Sequence, residues 1–298
     1  MQTLGITDAN LWRHWVARID LHATIEQVDF PEPVWKWLDL LGEMLVATQT
    51  EALNHERYLA DDPFKKLMVV GVNRMLRTLN SIYLLLRCEY IDLAAAQVRI
   101  LCETLITLAF VDRDRAVLAP KFWNYYTIEA FETAAAMVEL ERERAKPEHL
   151  RSMEAWLDQQ RPEYERLKPT YSYVVSKGKD MGKSRPYINW FNRNLAQQAQ
   201  DCGGELNRLY RLVYKQMSSY VHCSAFSLRH QTAYSRGHYD GGIVHRDIAT
   251  LVRTTAAVWV EMCKFLAGKL EWNLIGPATA VAEEVEMLDQ TQFGTGQM

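Results

Sequence analysis

Apolar residues recur at helical spacing along most of this chain. Asp8 is placed to cap a first helix carrying Leu11, Trp12, Trp15, Ile19 and Ile25 on one side. Pro31 and Pro33 open a second, with Val34, Trp37, Leu38, Leu41, Met44 and Leu45. Asp61-Asp62-Pro63 opens a third that runs to about Arg87. Ile91 to Val111 predicts a fourth, almost wholly apolar apart from Gln97, Arg99 and Glu103, the composition of a helix surrounded by others. Pro120 starts a fifth, aromatic at first and strongly charged by Glu139–Arg144; Pro147 ends it and starts a sixth. Residues 168–187 read as a loop, with Pro169, Gly178, Gly182 and Pro186. A short helix over 188–200 stops at Gly203-Gly204, and Glu205 to His222 is helical again. A second long loop spans 223–244, and the last strong helix runs from about Arg246 to Trp272.

Gly276-Pro277 leads into a tail carrying Glu283, Glu284, Glu286 and Asp289. No Lys or Arg follows Lys269, so the tail is expected to be frayed or docked on a basic surface. Convincing strand alternation and internal repeats are absent from the pattern. The expected fold is all-α, a multi-helix bundle in which an N-terminal helical pair (1–60) packs on a core (61–272) followed by the acidic tail (273–298).

Composition adds limits. A hydrophobic content of 48% and a charged content of 24% over 298 residues suffice for a sizeable core. The net charge of −3 gives no global pull toward nucleic acid, so any such binding must use a local patch. The five Cys (88, 102, 202, 223 and 263) are scattered without a C-x-x-C, as expected of reduced thiols in a cytoplasmic protein. The N-terminus lacks a basic segment followed by an apolar run. The longest apolar stretch, Val98 to Val111, is broken by Arg99 and Glu103 and reads as too short for a bilayer, so no membrane association is expected.

Candidate chemistry concentrates in two places. Arg99 and Glu103 stand at i and i+4 among Val98, Ile100, Leu101, Leu105, Ile106 and Leu108. One reading is an intrahelical ion pair; the other is a polar site, since charges among apolar neighbours are costly unless partners are supplied. Ser218 and His222 share a face one turn apart, at the end of a helix whose apolar side is Leu206, Leu209, Val213, Met217, Tyr220 and Val221. A histidine there is favoured by the helix dipole alone, and it also suits a general acid–base or phosphate-contacting role.

The run Ala94-Ala-Ala-Gln-Val-Arg99-Ile-Leu-Cys-Glu103 resembles the R-x-x-x-E signature of a domain-of-unknown-function family of helical bacterial proteins. Tyr214-Lys-Gln-Met-Ser218-Ser-Tyr-Val-His222 resembles that family's Y-x-x-x-S-x-x-x-H segment, and the match covers roughly residues 65–270. The family in turn is similar to the HEPN (higher eukaryotes and prokaryotes nucleotide-binding) superfamily, many of whose members are metal-independent ribonucleases of toxin–antitoxin and anti-phage systems. The resemblance implies a HEPN-like core with extra N-terminal helices and a homodimer. It also implies RNA cleavage through the substrate's own 2′-hydroxyl, with an antitoxin or defence-system partner and no cofactor. In that mechanism His222 moves protons, an arginine stabilises charge on the phosphate, Glu103 orients Arg99 or His222, and Ser218 hydrogen-bonds the phosphate or the imidazole. The HEPN pattern has an arginine four to six residues before the histidine on one helix. Here the nearest basic residues are Lys215 and Arg211, with six and ten residues between them and His222, so Lys215 is a substitute or Arg99 supplies the guanidinium from another helix.

The loop after His222 interleaves Arg229, His230, Arg236, His238, His245 and Arg246 with Phe226, Tyr234 and Tyr239. That mixture suits single-stranded nucleic acid or a nucleotide as well as a solvated surface. The 168–187 loop carries Lys168, Lys177, Lys179, Lys183 and Arg185 against Asp180. Gly178–Ser184 is not a phosphate loop, because its glycines are one residue too close and Pro186 follows. The histidines at 222, 230, 238 and 245 match no ligand spacing, so no metal is expected. His245-Arg246-Asp247 lacks the companion elements of a kinase. Three readings emerge: a HEPN-like endoribonuclease, a non-catalytic module binding nucleotide, RNA or a partner protein, and a helical scaffold clamped by Arg99 and Glu103.

Overall fold

The computed structural model describes residues 30, 32–54, 62–142, 147–176, 183–187, 189–221 and 241–293. The expected first helix falls outside them. The fold is all-α, and the described backbone forms two compact units. The first holds residues up to Ala109 and from Ala199 onward; the second spans Phe110–Gln198. The division falls inside helices.

In the first unit, α1 spans Glu32–Asn54, α2 Pro63–Arg87 and α3 Ile91–Asp112, which continues into the second unit. Asp62 caps α2: its carboxylate accepts from the backbone N–H of Phe64 and Lys65, at 2.7 and 3.2 Å, with Pro63 in the first turn. The turn into α3 places Glu89 in the left-handed region, with φ of 60°. Later come α9, Gly241–Leu270, and α10, Ile275–Phe293. Helix α1 packs on α2, α9 and α10. Its stripe of Trp37, Leu38, Leu41, Met44 and Leu45 is fully buried, as are Met75, Leu76 and Leu79 of α2 and Trp259, Met262 and Leu266 of α9. Gly71 lets α2 approach α3 closely, because a Cβ there would meet Leu108 Cδ1 at 2.5 Å.

The acidic tail is docked, and docked as the helix α10. Ala278, Val281 and Leu288 are buried, and Arg253 of α9 pairs with Asp289 at 3.1 Å. Gly276-Pro277 lies in the first turn of this helix, where a missing N–H is harmless. Helix α3 also departs from expectation. At 22 residues it is long and apolar enough to cross a membrane by length and composition, and 67% of its most apolar window is buried inside the fold.

The second unit is built on α4, Arg115–Glu141, paired with α5, Pro147–Leu167. Helix α4 begins five residues before the expected Pro120. The carbonyl of Asp114 accepts from Val117 and Leu118, and one proline removes a single backbone bond from a helix whose Leu118 and Ala119 are buried. Phe131 and Tyr164 stack across the pair, their ring centroids 4.0 Å apart. The expected 168–187 loop contains a 3-10 turn, Lys168–Tyr171, and an antiparallel pair, β1 (Ser172–Val174) with β2 (Ser184–Pro186), in register Ser172 to Pro186. Three-residue strands are too short for an alternation signal to show. Tyr171 donates its hydroxyl to the Lys121 carbonyl at 2.6 Å. The Lys121 ammonium lies 5.7, 5.3 and 4.8 Å from the rings of Tyr171, Tyr187 and Phe191. Burial pushes its pKa down.

Helix α6, Leu195–Cys202, is shorter than the expected 188–200 segment. Asn189 organises the turn before it by accepting from Phe191 and Arg193. Asn194 and Gln197 then exchange side-chain-to-backbone bonds at 2.9 and 3.0 Å, a capping box that starts the helix late. Gly203 and Gly204, at φ of 71° and 47°, turn the chain into α7.

Candidate functional site

The segment from Gly204 is not one continuous α-helix. It runs as α7, Gly204–Leu209, a π-helical turn, Tyr210–Tyr214, and α8, Lys215–Val221. The backbone N–H of Lys215 reaches the carbonyl of Tyr210, widening the helix by one residue. Within this turn Tyr210 and Tyr214 stack, with centroids 5.2 Å apart and rings 19° from parallel.

The pair faces Arg99. Its Nη2 donates to the Tyr214 hydroxyl at 2.9 Å, and its Cζ lies 5.0 Å from the centroid of the same ring. Arg99 is half-buried, and its Nε is enclosed without a hydrogen-bond partner. The expected ion pair with Glu103 does not form; among the described residues no carboxylate lies within pairing distance of Arg99. Glu103 is itself half-buried rather than buried. The physical reason is geometric: the guanidinium is drawn off α3 to a tyrosine on the neighbouring segment, which offers both an acceptor and a π-face.

Cys102 lies between the two, buried, its thiol pushed up to about 12 chiefly by burial. A backbone hydrogen bond at Tyr214 works against that rise and the Glu103 charge adds to it. Further along, burial raises the Tyr220 hydroxyl to about 12, reinforced by Asp247 and Asp92. Asp92 stands two turns before Arg99 on α3, while Tyr220 follows Tyr214, so a polar strip runs between two antiparallel segments.

Ser218 is half-buried one turn beyond Tyr214, and Lys215 is exposed with its Nζ 5.9 Å from the Tyr210 ring centroid. The structure therefore brings Arg99 onto Tyr214; Ser218 lies one turn beyond Tyr214 on its own segment, and Glu103 one turn beyond Arg99 on α3. His222, Arg229, His230, Arg236 and His238 lie outside the described residues. Tyr210 and Tyr214 were not among the residues singled out as a site, although Tyr214 opens the motif and the i, i+4 tyrosine spacing was visible. Among the described residues no group of three or more His, Cys, Asp or Glu is arranged to hold a metal.

No curated protein and no solved structure matches the chain. A family model described as a family of unknown function (DUF5677) matches residues 65–237, a span that takes in α2, α3, the whole second unit and the π-turn with its tyrosines. With more than half of its length matched, and with both halves of the Arg99–Tyr214 strip inside the match, the chain belongs to the DUF5677 family.

Proposed function

We propose that this protein is a HEPN-like helical module that binds a phosphate group of RNA or a nucleotide at Arg99. The observation that supports this reading is a half-buried guanidinium held on Tyr214 by one hydrogen bond and one ring face, with no described carboxylate to neutralise it. An arginine cannot shed its charge, so an uncompensated one favours an anion, and its planar fork suits phosphate. Tyr210 and Lys215 extend the strip with a stacking surface and a second cation. Fluorescence anisotropy with a labelled single-stranded RNA and a labelled nucleotide tests it. Arg99→Gln is expected to weaken binding about tenfold, close to 1.4 kcal/mol, and the wild-type affinity is expected to fall as salt rises. Unchanged binding in Arg99→Gln overturns the proposal.

A second reading adds cleavage. Its support is the Ser218-x-x-x-His222 motif one turn beyond Tyr214. There His222 would move protons for attack by the 2′-hydroxyl while Arg99 stabilises the phosphate charge. The homodimer, the antitoxin or defence partner and the cytoplasmic setting belong to this reading. His222→Ala is expected to abolish RNA cleavage and retain RNA binding; a wild type that binds RNA without cutting it leaves the non-catalytic reading.

A further inference from the structure

The second unit encloses a lysine in aromatic rings. Lys121 stands on α4 one turn before Tyr125, whose ring packs on Tyr171 with centroids 5.2 Å apart. Tyr171 donates its hydroxyl to the Lys121 carbonyl, and the backbone N–H of Tyr187 donates to the Tyr171 carbonyl at 2.7 Å. These two bonds seat both ends of the β1–β2 hairpin beside the lysine. Phe191 is fixed by edge contact with Phe110, centroids 5.2 Å apart, and by the Asn189 turn. The half-buried ammonium therefore lies against the rings of Tyr171, Tyr187 and Phe191, nearest to Phe191.

An ammonium carries three N–H donors. Among the described residues none accepts from Lys121 Nζ and no carboxylate pairs with it; its contacts there are ring faces. Lys36 and Lys264 are held differently, pairing with Glu32 at 3.2 Å and Glu261 at 2.6 Å. The titratable groups in the cluster around Lys121 are the phenols of Tyr125, Tyr171 and Tyr187, and burial pushes Tyr171 up to about 12, so it supplies no counter-charge at neutral pH. Burial accordingly lowers the pKa of Lys121, with no charged neighbour acting beside it. Nζ is not among the fully enclosed described atoms, so the amine keeps access to solvent. A lysine that is desolvated, without a counter-ion and reachable is the kind of amine that attacks carbonyl carbon. The rings favour a flat, apolar partner that can lie on their faces.

We propose that Lys121 is a carbonyl-capturing amine that forms an imine with an aromatic aldehyde lying on Phe191 and Tyr187. The ammonium first releases a proton to solvent. The neutral nitrogen then attacks the aldehyde carbon, a C–N bond forms, and a proton passes from nitrogen to the former carbonyl oxygen. That oxygen leaves as water as the last nitrogen-bound hydrogen departs as a proton, which leaves a C=N bond. No oxidant or reductant takes part, and water reverses the step. The site is independent of the Arg99 strip.

Reductive trapping with cyanoborohydride on the full chain at neutral pH, followed by peptide mass mapping, tests the proposal. Benzaldehyde is the aromatic probe and propanal the aliphatic one. Lys121 is expected to be labelled by benzaldehyde ahead of Lys36 and Lys264. Its ratio of benzaldehyde to propanal labelling is expected to exceed theirs about fivefold, from ring contact. Phe191→Leu keeps an apolar side chain and removes a ring. It is expected to shrink that excess at Lys121 and to leave Lys36 and Lys264 labelled as before. Three results would each overturn the proposal: labelling of Lys121 no faster than of Lys36 and Lys264, equal ratios at all three, or an excess that survives both Phe191→Leu and Tyr187→Leu.

Discussion

Arg99 turns away from a carboxylate one turn along its own helix and settles on Tyr214. An exposed i, i+4 ion pair is worth a few tenths of a kcal/mol. A cation over an aromatic face contributes about 0.5–2 kcal/mol depending on desolvation, and the phenol oxygen adds a hydrogen bond. The tyrosine therefore outcompetes Glu103 once the tertiary fold brings it near. The spacing of Arg99 and Glu103 was legible in the sequence; the partner 115 residues away was not. The cysteines show the same dependence on surroundings. Burial raises the thiols of Cys102 and Cys263, whereas Cys88 and Cys202 are only half-buried. In native protein at pH 8, a thiol reagent is expected to label Cys88 and Cys202 and to spare Cys102 and Cys263, as peptide mass mapping would show. A raised folded pKa also means that only the unfolded chain ionises above about pH 8.5. The stability held by the two neutral thiols is thus complete below that value and declines as pH rises toward the folded values, which alkaline denaturation midpoints of Cys102→Ala and Cys263→Ala would register as a weaker pH dependence.

Proline and cap signals located most helix starts in the first unit. Asp62-Pro63 opens α2 where expected, because the cap is a local interaction between neighbouring residues. Pro120 misled for a related reason: it marks a favoured first-turn residue, yet burial of its neighbours carries α4 back to Arg115. The Asn194–Gln197 capping box was equally local and places α6 better than apolar spacing does. The π-turn had no local signal at all, since it depends on one displaced backbone bond. Contacts between helices rest on single polar atoms as well. Thr48 of α1 donates to the Met44 carbonyl at 2.7 Å and accepts the Trp259 indole N–H of α9 at 2.8 Å, and both side chains are fully buried. Thr48→Val keeps the volume and orphans the indole. It is expected to lower the unfolding free energy by about 1–3 kcal/mol in urea denaturation, with Thr48→Ser retaining most of it.

At the scale of the molecule, the acidic tail is the clearest case of structure adding to pattern. Helix α10 packs on α9 and α1, and its buried Ala278, Val281 and Leu288 complete the first unit's core. Removing residues 275–298 is expected to lower the melting temperature and raise binding of a hydrophobic dye. Asp289→Asn, which breaks only a partly exposed ion pair, is expected to change stability by less than ~1 kcal/mol. By itself the sequence determined the all-α class, the course of most helices and membership of one family, because periodicity, caps and prolines act over a few residues. It also marked Arg99 as a residue in need of a partner. Only the tertiary structure decided what that partner is, that the acidic tail docks as a helix, and that the chain divides inside helices rather than between them. These outcomes depend on groups far apart in the chain sharing one low-dielectric space, and no spacing along the sequence encodes that proximity.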